Sequence, residues 1–146
     1  MEIISITTNH FVKSEDLNHH GTLFAGRTAE WFVEAGLMAA AVYLPPENIV
    51  CVKVHGMSFT HPVALGETIK FVSKVVYAGN TSITANTQVT VRDCDVINGF
   101  ATFVCVDRDD CPIPHGLIIE ATSEEDIALS NHASMLRHIE QEHGLL

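Results

Sequence analysis

The residues best suited to chemistry lie together near the start of the chain. A polar loop over residues 16–26 contains Asn18 and ends in the small residues Ala25 and Gly26, directly before an apolar run that contains Glu34. Small residues let a substrate approach the backbone, and the first N–H groups of a helix lack internal acceptors. The pattern predicts a helix N-terminus that stabilises developing negative charge, with a carboxylate nearby as general base or nucleophile.

The two glutamates of the apolar run are predicted to have different roles. Glu34 lies between Val33 and Ala35, and a charged residue in so apolar a helix requires a reason. We therefore favour a catalytic role for Glu34 over the alternative of a partly exposed helix residue. Glu30, one turn earlier, is better explained as an ion-pair partner of Arg27.

The histidines offer weaker candidates. Adjacent His19 and His20 suggest a metal site, but no third ligand has suitable spacing, so we expect no metal. His20 is a candidate for polarising a carbonyl or positioning water. His61 precedes Pro62 in a turn-bearing connection, where a histidine more often caps a turn than takes part in a site.

The elements that must position these residues follow from the hydrophobic periodicity. A helix is predicted over residues 24–44, ended by two prolines, and a second helix from an N-cap at Ser123 to Gly144. A β-branched run at residues 3–8 predicts a short strand within residues 2–12, and alternating segments predict strands over residues 49–59, 67–77, 81–92 and 98–107, with a reversal at residues 93–95. One apolar helix with a meander of long strands predicts a single α+β domain, residues 1–146, in which a five- to six-stranded antiparallel sheet wraps the helix.

Composition excludes several classes of function. The formal charge is −10 with only 8 lysines and arginines, which argues against a nucleic-acid groove. No apolar run approaches the ~20 residues of a membrane span, and the first residues lack the basic segment of a signal peptide. The four cysteines show no paired spacing, so we expect reduced cysteines and a cytoplasmic protein.

Three motifs, in order along the chain, resemble those of the acyl-CoA thioesterases of the hotdog superfamily. Residues 18–26 (NHHGTLFAG) resemble N-x-x-G-T-L-x-G-G, and residues 59–66 (FTHPVALG) resemble F-x-x-P-V-x-x-G-D. Residues 101–107 and the prolines at 112 and 114 resemble the closing strand and proline loop of the family. The resemblance implies the hotdog fold, with a long central helix, a wrapping sheet and an additional C-terminal helix here.

The resemblance also implies how a site would be assembled. In such enzymes two subunits pair sheet to sheet, with an asparagine at the position of Asn18 from one subunit and a helix carboxylate from its partner. A backbone N–H at the helix start, here that of Ala25 or Gly26, polarises the thioester carbonyl. No cofactor is implied beyond the coenzyme A of the substrate. Substrate contacts are expected at Thr22, Phe24 and His61, and at the turn of Gly79, Asn80 and Thr81 for the phosphates.

One position departs from the family pattern. The acidic residue of many relatives falls at Val33 in this chain, and Glu34 follows immediately. One step along a helix rotates a side chain by about 100°, so Glu34 needs a shifted helix start or a longer reach.

Two other functions remain open at this point. Hotdog dehydratases pair a histidine with a glutamate at the separation of His20 and Glu34, but their proline-rich segment is absent here. A non-catalytic acyl-CoA-binding module is the second alternative, because Val33 occupies the usual acid position. For either function the backbone groups of the long edge strands need partners from another subunit, so we expect a homodimer, a tetramer or a hexamer.

Overall fold

A computed structural model describes residues 1–142, in which one helix packs on one face of a single antiparallel sheet. The strands are β1 (Ile6–Phe11), β2 (Ile49–Val54), β3 (Thr68–Ala78), β4 (Ser82–Val91) and β5 (Cys94–Cys105), in the spatial order β1-β3-β4-β5-β2. The helices are α1 (Ala25–Ala40) and α2 (Glu124–Glu142), with short 3₁₀ turns at Ser14–Asp16 and Pro46–Asn48. The predicted α+β arrangement is confirmed, with five strands.

Helix α1 forms the centre of the hydrophobic core. Its small and aromatic residues recur at helical spacing, so one broad face is buried against the sheet. Phe32 is fully buried, and Gly36 lets the helix approach so closely that an added Cβ would lie 3.1 Å from the ring of Phe103. The opposite face has an exposed residue at every fourth position: Gly26, Glu30, Glu34, Met38 and Val42.

Helix α2 covers part of the other face of the sheet. Ala133 packs against Val76 and Phe100 there, and Lys74 Nζ lies 2.6 Å from Asp126 Oδ1. The predicted N-cap is confirmed, because Ser123 Oγ accepts the N–H of Asp126 at 3.1 Å. The predicted end of this helix at Gly144 lies outside the described residues.

The strands begin and end differently from the predicted ranges, each for a local reason. β1 starts only at Ile6, because the hydroxyl of Tyr43 binds the N–H of Ile4 and the carbonyl of Glu2. β2 ends at Val54, ahead of Gly56 with a φ of 71°. β5 starts at Cys94, because Arg92 and Asp93 both have positive φ and form a two-residue hairpin turn.

Helix α1 is shorter than predicted, ending at Ala40 and continuing as turns up to the prolines. Within residues 1–142, neither helix is long and apolar enough to cross a membrane.

The two edges of the sheet are β1 and β2, and Val50 and Val52 of β2 are 39% and 40% exposed. The edge at β2 therefore combines open backbone groups with exposed apolar side chains.

Candidate active site

Asn18 organises the loop that precedes α1. Its side-chain oxygen accepts the N–H of His20 at 2.8 Å and of Thr22 at 3.2 Å, and its side-chain nitrogen donates to Thr22 Oγ1 at 3.1 Å. The backbone carbonyl of Asn18 accepts the N–H of Gly21, whose φ of 77° suits glycine. Asn18 is therefore a turn-forming residue in this chain, and the same amide faces the cleft described next.

A cleft of about 230 Å³ lies between this loop, the start of α1 and the connection that follows β2. Leu23 donates its N–H to the carbonyl of Val63 at 2.8 Å, which joins two walls of the cleft. Of the predicted site residues, four line the cleft: Asn18, Thr22, Ala25 and His61. The other lining residues are Leu23, Thr28, Phe59, Pro62, Val63 and Val96, of which Thr28 and Val96 lie outside the motifs recognised in the sequence.

The start of α1 has no side-chain cap. Phe24 occupies the N-cap position without a capping hydrogen bond, and the first turn contains no acidic residue. Within the described residues, the N–H groups of Ala25 and Gly26 have no acceptor. Unpaired N–H groups at a helix N-terminus attract negative charge, so this end of α1 is suited to binding a polarised carbonyl oxygen.

Phe24 and Gly26 are in close contact. A Cβ added at Gly26 would lie 2.4 Å from a ring carbon of Phe24, so the ring lies directly over this glycine. The Phe24 side chain is 55% exposed and lies outside the set that lines the cleft. The ring therefore covers the outer side of the first helical turn.

The structure separates the two candidate positions for the acid. Val33 is half-buried and packs against the hydrophobic core. Glu34 is exposed on the outer stripe of α1 and has no hydrogen-bond or ion-pair partner among residues 1–142. Glu34 does not line the cleft of its own protomer. The expected pairing of Glu30 with Arg27 is present, at 3.8 Å between Oε2 and Nη1.

The three candidate histidines, His19, His20 and His61, are exposed, and of these His61 lines the cleft. His20 is exposed, and its ring packs 4.3 Å from the ring of His19 at the tip of the loop. His61 is exposed and its Nδ1 lies 3.0 Å from Thr60 Oγ1, consistent with its predicted local role in the turn. Within residues 1–142, no cluster of histidine, cysteine and acidic residues is arranged to hold a metal ion.

The predicted phosphate-binding turn lies elsewhere in the protomer. Gly79, Asn80 and Thr81 line a second, polar cavity of about 240 Å³ together with Arg137 and His138 of α2. β3 starts just after the connection that lines the cleft and ends just before this turn, so the two lie at opposite ends of the sheet. The participation of α2 was not predicted, because nothing local in the sequence relates it to the turn.

Three cationic side chains, Lys70 and Lys74 of β3 and Arg92 directly after β4, could also contact a phosphate, and two of them are paired. Lys74 is bound to Asp126, and Arg92 Nη2 lies 2.9 Å from Glu67 Oε2. Lys70 is exposed on β3. Arg137 is a half-buried cation that lines the same cavity as the predicted turn.

A separate set of hydrogen-bonded polar side chains lies on the face of the sheet opposite α1. His55 Nε2 is 2.7 Å from Thr102 Oγ1, which is 3.0 Å from Thr84 Oγ1. Burial, together with the nearby charges of Lys53 and His132, lowers the pKa of His55 from 6.5 to about 4. Burial also raises the pKa of the Cys51 and Cys105 thiols, which favours unreactive thiols.

Comparison with known proteins assigns the family. The model of the thioesterase superfamily matches residues 20–97, which begin after Asn18 and include the end of the loop, α1 and the connection around the cleft. The uncharacterized acyl-CoA thioester hydrolase YkhA of Bacillus subtilis is 25% identical over 124 residues, 81% of this chain and 71% of that protein. The acyl-CoA thioester hydrolase YciA of Escherichia coli is 31% identical over 80 residues, which are 53% of this chain and 58% of that protein.

Solved structures show the same fold over the whole described chain. An acyl-CoA hydrolase from Staphylococcus aureus, solved in complex with butyryl coenzyme A and coenzyme A, has a TM-score of 0.81 at 21% identity. The match covers 97% of this chain and 92% of that one. The predicted hotdog fold is confirmed, and this chain belongs to the thioesterase superfamily.

Proposed function

We propose that this protein hydrolyses acyl-CoA thioesters to a free acid and coenzyme A. The observation that carries the proposal is the cleft in which the Asn18 amide and the uncapped start of α1 share one space. Thioester hydrolysis develops negative charge on the carbonyl oxygen, and donors fixed in advance at that point lower the barrier most. The names of the curated relatives support the same reaction.

In this proposal the N–H of Ala25 or Gly26 donates to the thioester carbonyl. The Asn18 amide holds the attacking water or the substrate, and Thr22, Phe24 and His61 border the acyl or pantetheine part. As general base, Glu34 takes a proton from water while the water oxygen bonds to the carbonyl carbon. The C–S bond then breaks, and the departing thiolate receives a proton to give free coenzyme A.

Glu34 would act from the partner protomer. It is exposed on the outer stripe of α1, whereas Val33 packs inward, so Glu34 can present its carboxylate to another chain without a change in the helix. An antiparallel pairing of β2 with β2 of a second protomer would cover the open edge of both sheets. It would also bring the surfaces of the two protomers next to β2 into contact. In the nucleophilic route, Glu34 displaces the thiolate to form an anhydride, which water then hydrolyses. Attack of water on the Glu34 carbonyl of this anhydride would place ¹⁸O from labelled water in Glu34 during a single turnover, whereas the general-base route places it only in the product acid.

The same pairing suggests where the nucleotide end of the substrate binds. If a twofold axis relates the two β2 strands, the sheet of the partner runs in the opposite direction to that of the first protomer. The partner's turn of residues 79–81 would then lie at the same end of the joined sheet as the cleft of the first protomer. The cavity at this turn contains Arg137 and His138, whose side chains suit a phosphate. We therefore assign Gly79, Asn80 and Thr81 to the phosphates of coenzyme A bound at the partner's cleft.

The test is a thiol-release screen of the purified protein against short, long, branched and aromatic acyl-CoAs. The proposal predicts release well above background for at least one class, and double-bond formation from a 3-hydroxyacyl thioester at background. Thermal stabilisation by acyl-CoA without thiol release would instead assign a binding module. A catalytic role for His20 stays a prediction, and its test is the His20→Ala variant in the same assay.

A further inference from the structure

Asp16 is the one carboxylate among the buried side chains of residues 1–139. It is 4% exposed, although it ends a short 3₁₀ turn at the surface. A buried carboxylate is costly unless its oxygens are hydrogen-bonded or paired, so its contacts need an explanation. The Asp16 carboxylate has no direct role in the proposed hydrolysis and is not part of the hydrophobic core.

The contacts of Asp16 join both ends of the loop to α1. Its Oδ2 accepts the N–H of Lys13 at 2.9 Å, at the start of the 3₁₀ turn. Its Oδ1 lies 3.3 Å from Nε of Arg27, in the first turn of α1. Its backbone carbonyl accepts the N–H of Phe24, the N-cap of α1, at 2.9 Å. One residue therefore contacts the loop entrance, the loop exit and the helix.

The remaining hydrogen bonds of the loop do not fix it to the helix. Those of Asn18 stay inside the loop, on His20, Gly21 and Thr22. Leu23 binds Val63, on the opposite wall of the cleft. The N–H of Asn18 also donates to the carbonyl of Thr22 at 2.7 Å, which closes the loop on itself. Within the described residues, the contacts of Asp16 are therefore the ones that join the entrance of this closed loop to the first turn of α1.

We propose that Asp16 and Arg27 are positioning residues, which hold the Asn18 loop at a fixed distance from the N–H groups of Ala25 and Gly26. This inference rests on the proposed function, because it gives these groups the task of binding a thioester between them. Misplacement of reacting groups by about 1 Å can cost about 100-fold in rate. A positioning pair next to the cleft therefore affects turnover more than binding.

Arg27 also has an electrostatic task. A lone carboxylate near the start of α1 would oppose the negative charge that develops on the thioester oxygen. The guanidinium neutralises this carboxylate and holds it with a fixed geometry that lysine cannot reproduce. Arg27→Lys should therefore retain charge balance and lose part of the positioning, whereas Arg27→Gln loses both.

The test compares Asp16→Asn with Asp126→Asn, at a temperature where both variants are folded. Asp126 is the matched control, because it forms an ion pair with Lys74 beneath α2, on the other face of the sheet. We expect Asp16→Asn to lower kcat about 10- to 100-fold with KM changed less than about threefold. Arg27→Lys should be intermediate between wild type and Arg27→Gln, and Asp126→Asn should keep wild-type kcat and KM.

A second readout does not need turnover. In ¹⁵N-labelled protein, a non-hydrolysable thioether analogue of acyl-CoA should shift the amide signals of Ala25 and Gly26, and these shifts should shrink in Asp16→Asn alone. Shifts without hydrolysis in wild type would refute the hydrolase and leave the positioning role standing. A kcat for Asp16→Asn within twofold of wild type, equal losses in Asp126→Asn, or absence of the amide shifts in wild type would each overturn the inference.

Discussion

The side-chain oxygen of Asn18 lies 3.2 Å from the backbone nitrogen of Thr22 and accepts its hydrogen bond. The same oxygen accepts the N–H of His20, the side-chain nitrogen of Asn18 donates to Thr22 Oγ1, and the residue lines the cleft. Asn18 therefore combines two tasks that are usually treated as alternatives. Its oxygen shapes the loop, and its nitrogen has a second hydrogen for a ligand.

The variant Asn18→Asp separates these two tasks. A carboxylate can accept both backbone N–H groups and the hydroxyl of Thr22, so the free energy of unfolding should stay within about 1 kcal/mol of wild type. The donor to the substrate is lost, so thiol release should fall about 100-fold, as in Asn18→Ala. Wild-type kcat in Asn18→Asp, measured beside its urea unfolding curve, would remove the amide from the mechanism.

The two exposed glutamates of α1 provide a second test. Glu34→Ala should lower kcat about 100- to 10,000-fold, since it removes the proposed base or nucleophile without disturbing any contact in the protomer. Glu30→Ala, one turn earlier on the same stripe, loses only the long ion pair with Arg27 and should keep most of the activity. Equal activities of the two variants in a thiol-release assay would contradict the assignment.

Much of this arrangement could be predicted from local sequence. The period-two pattern of β3 and β4 and the Pro-terminated apolar run of α1 specify their own structure, because buried faces repeat at fixed spacing. The loop around Asn18 was also predictable from its small and turn-forming residues.

The rest depends on contacts between distant segments. The contact between Leu23 and Val63 and the burial of Asp16 are tertiary, so no local pattern reveals them. The sequence paired Arg27 with Glu30, whereas the structure brings its Nε closer to Asp16. The reversal after β4 was predicted at residues 93–95, and the structure places it at Arg92 and Asp93, a position that the sequence did not indicate because neither residue is the glycine that positive φ usually favours.

Packing of α1 on the sheet is tested by Gly36→Ala. The added methyl would lie 3.1 Å from the ring of Phe103, which is fully buried, so the ring would have to shift within the core. Overpacking should outweigh the helix propensity of alanine and destabilise the fold by about 1 kcal/mol. Gly26→Ala is the control, because the exposed ring of Phe24 can turn aside, and its melting temperature should not fall. A rise in stability for Gly36→Ala would show that the helix lies farther from β5.

The depressed pKa of His55 predicts an acid-dependent loss of stability. Between pH 6.5 and about 4 the unfolded chain binds a proton at this residue and the folded chain does not, so stability decreases as pH falls through this range. After screening by solvent, the loss between pH 7 and pH 5 should be about 1 kcal/mol. Urea unfolding at both pH values should show a smaller difference for His55→Gln, and an unchanged difference would contradict the assignment.

The central claim, that one protomer supplies Asn18 and its partner supplies Glu34, is tested most directly by mixing two inactive variants. Asn18→Ala and Glu34→Ala protein are unfolded together, refolded and assayed for thiol release, with each variant refolded alone as control. Random pairing produces mixed dimers in which one of the two sites has both native residues, so the mixture should recover about a quarter of wild-type activity. A mixture that exchanges subunits, as shown by mass spectrometry, and stays as inactive as its components would place both residues in one protomer and contradict the account.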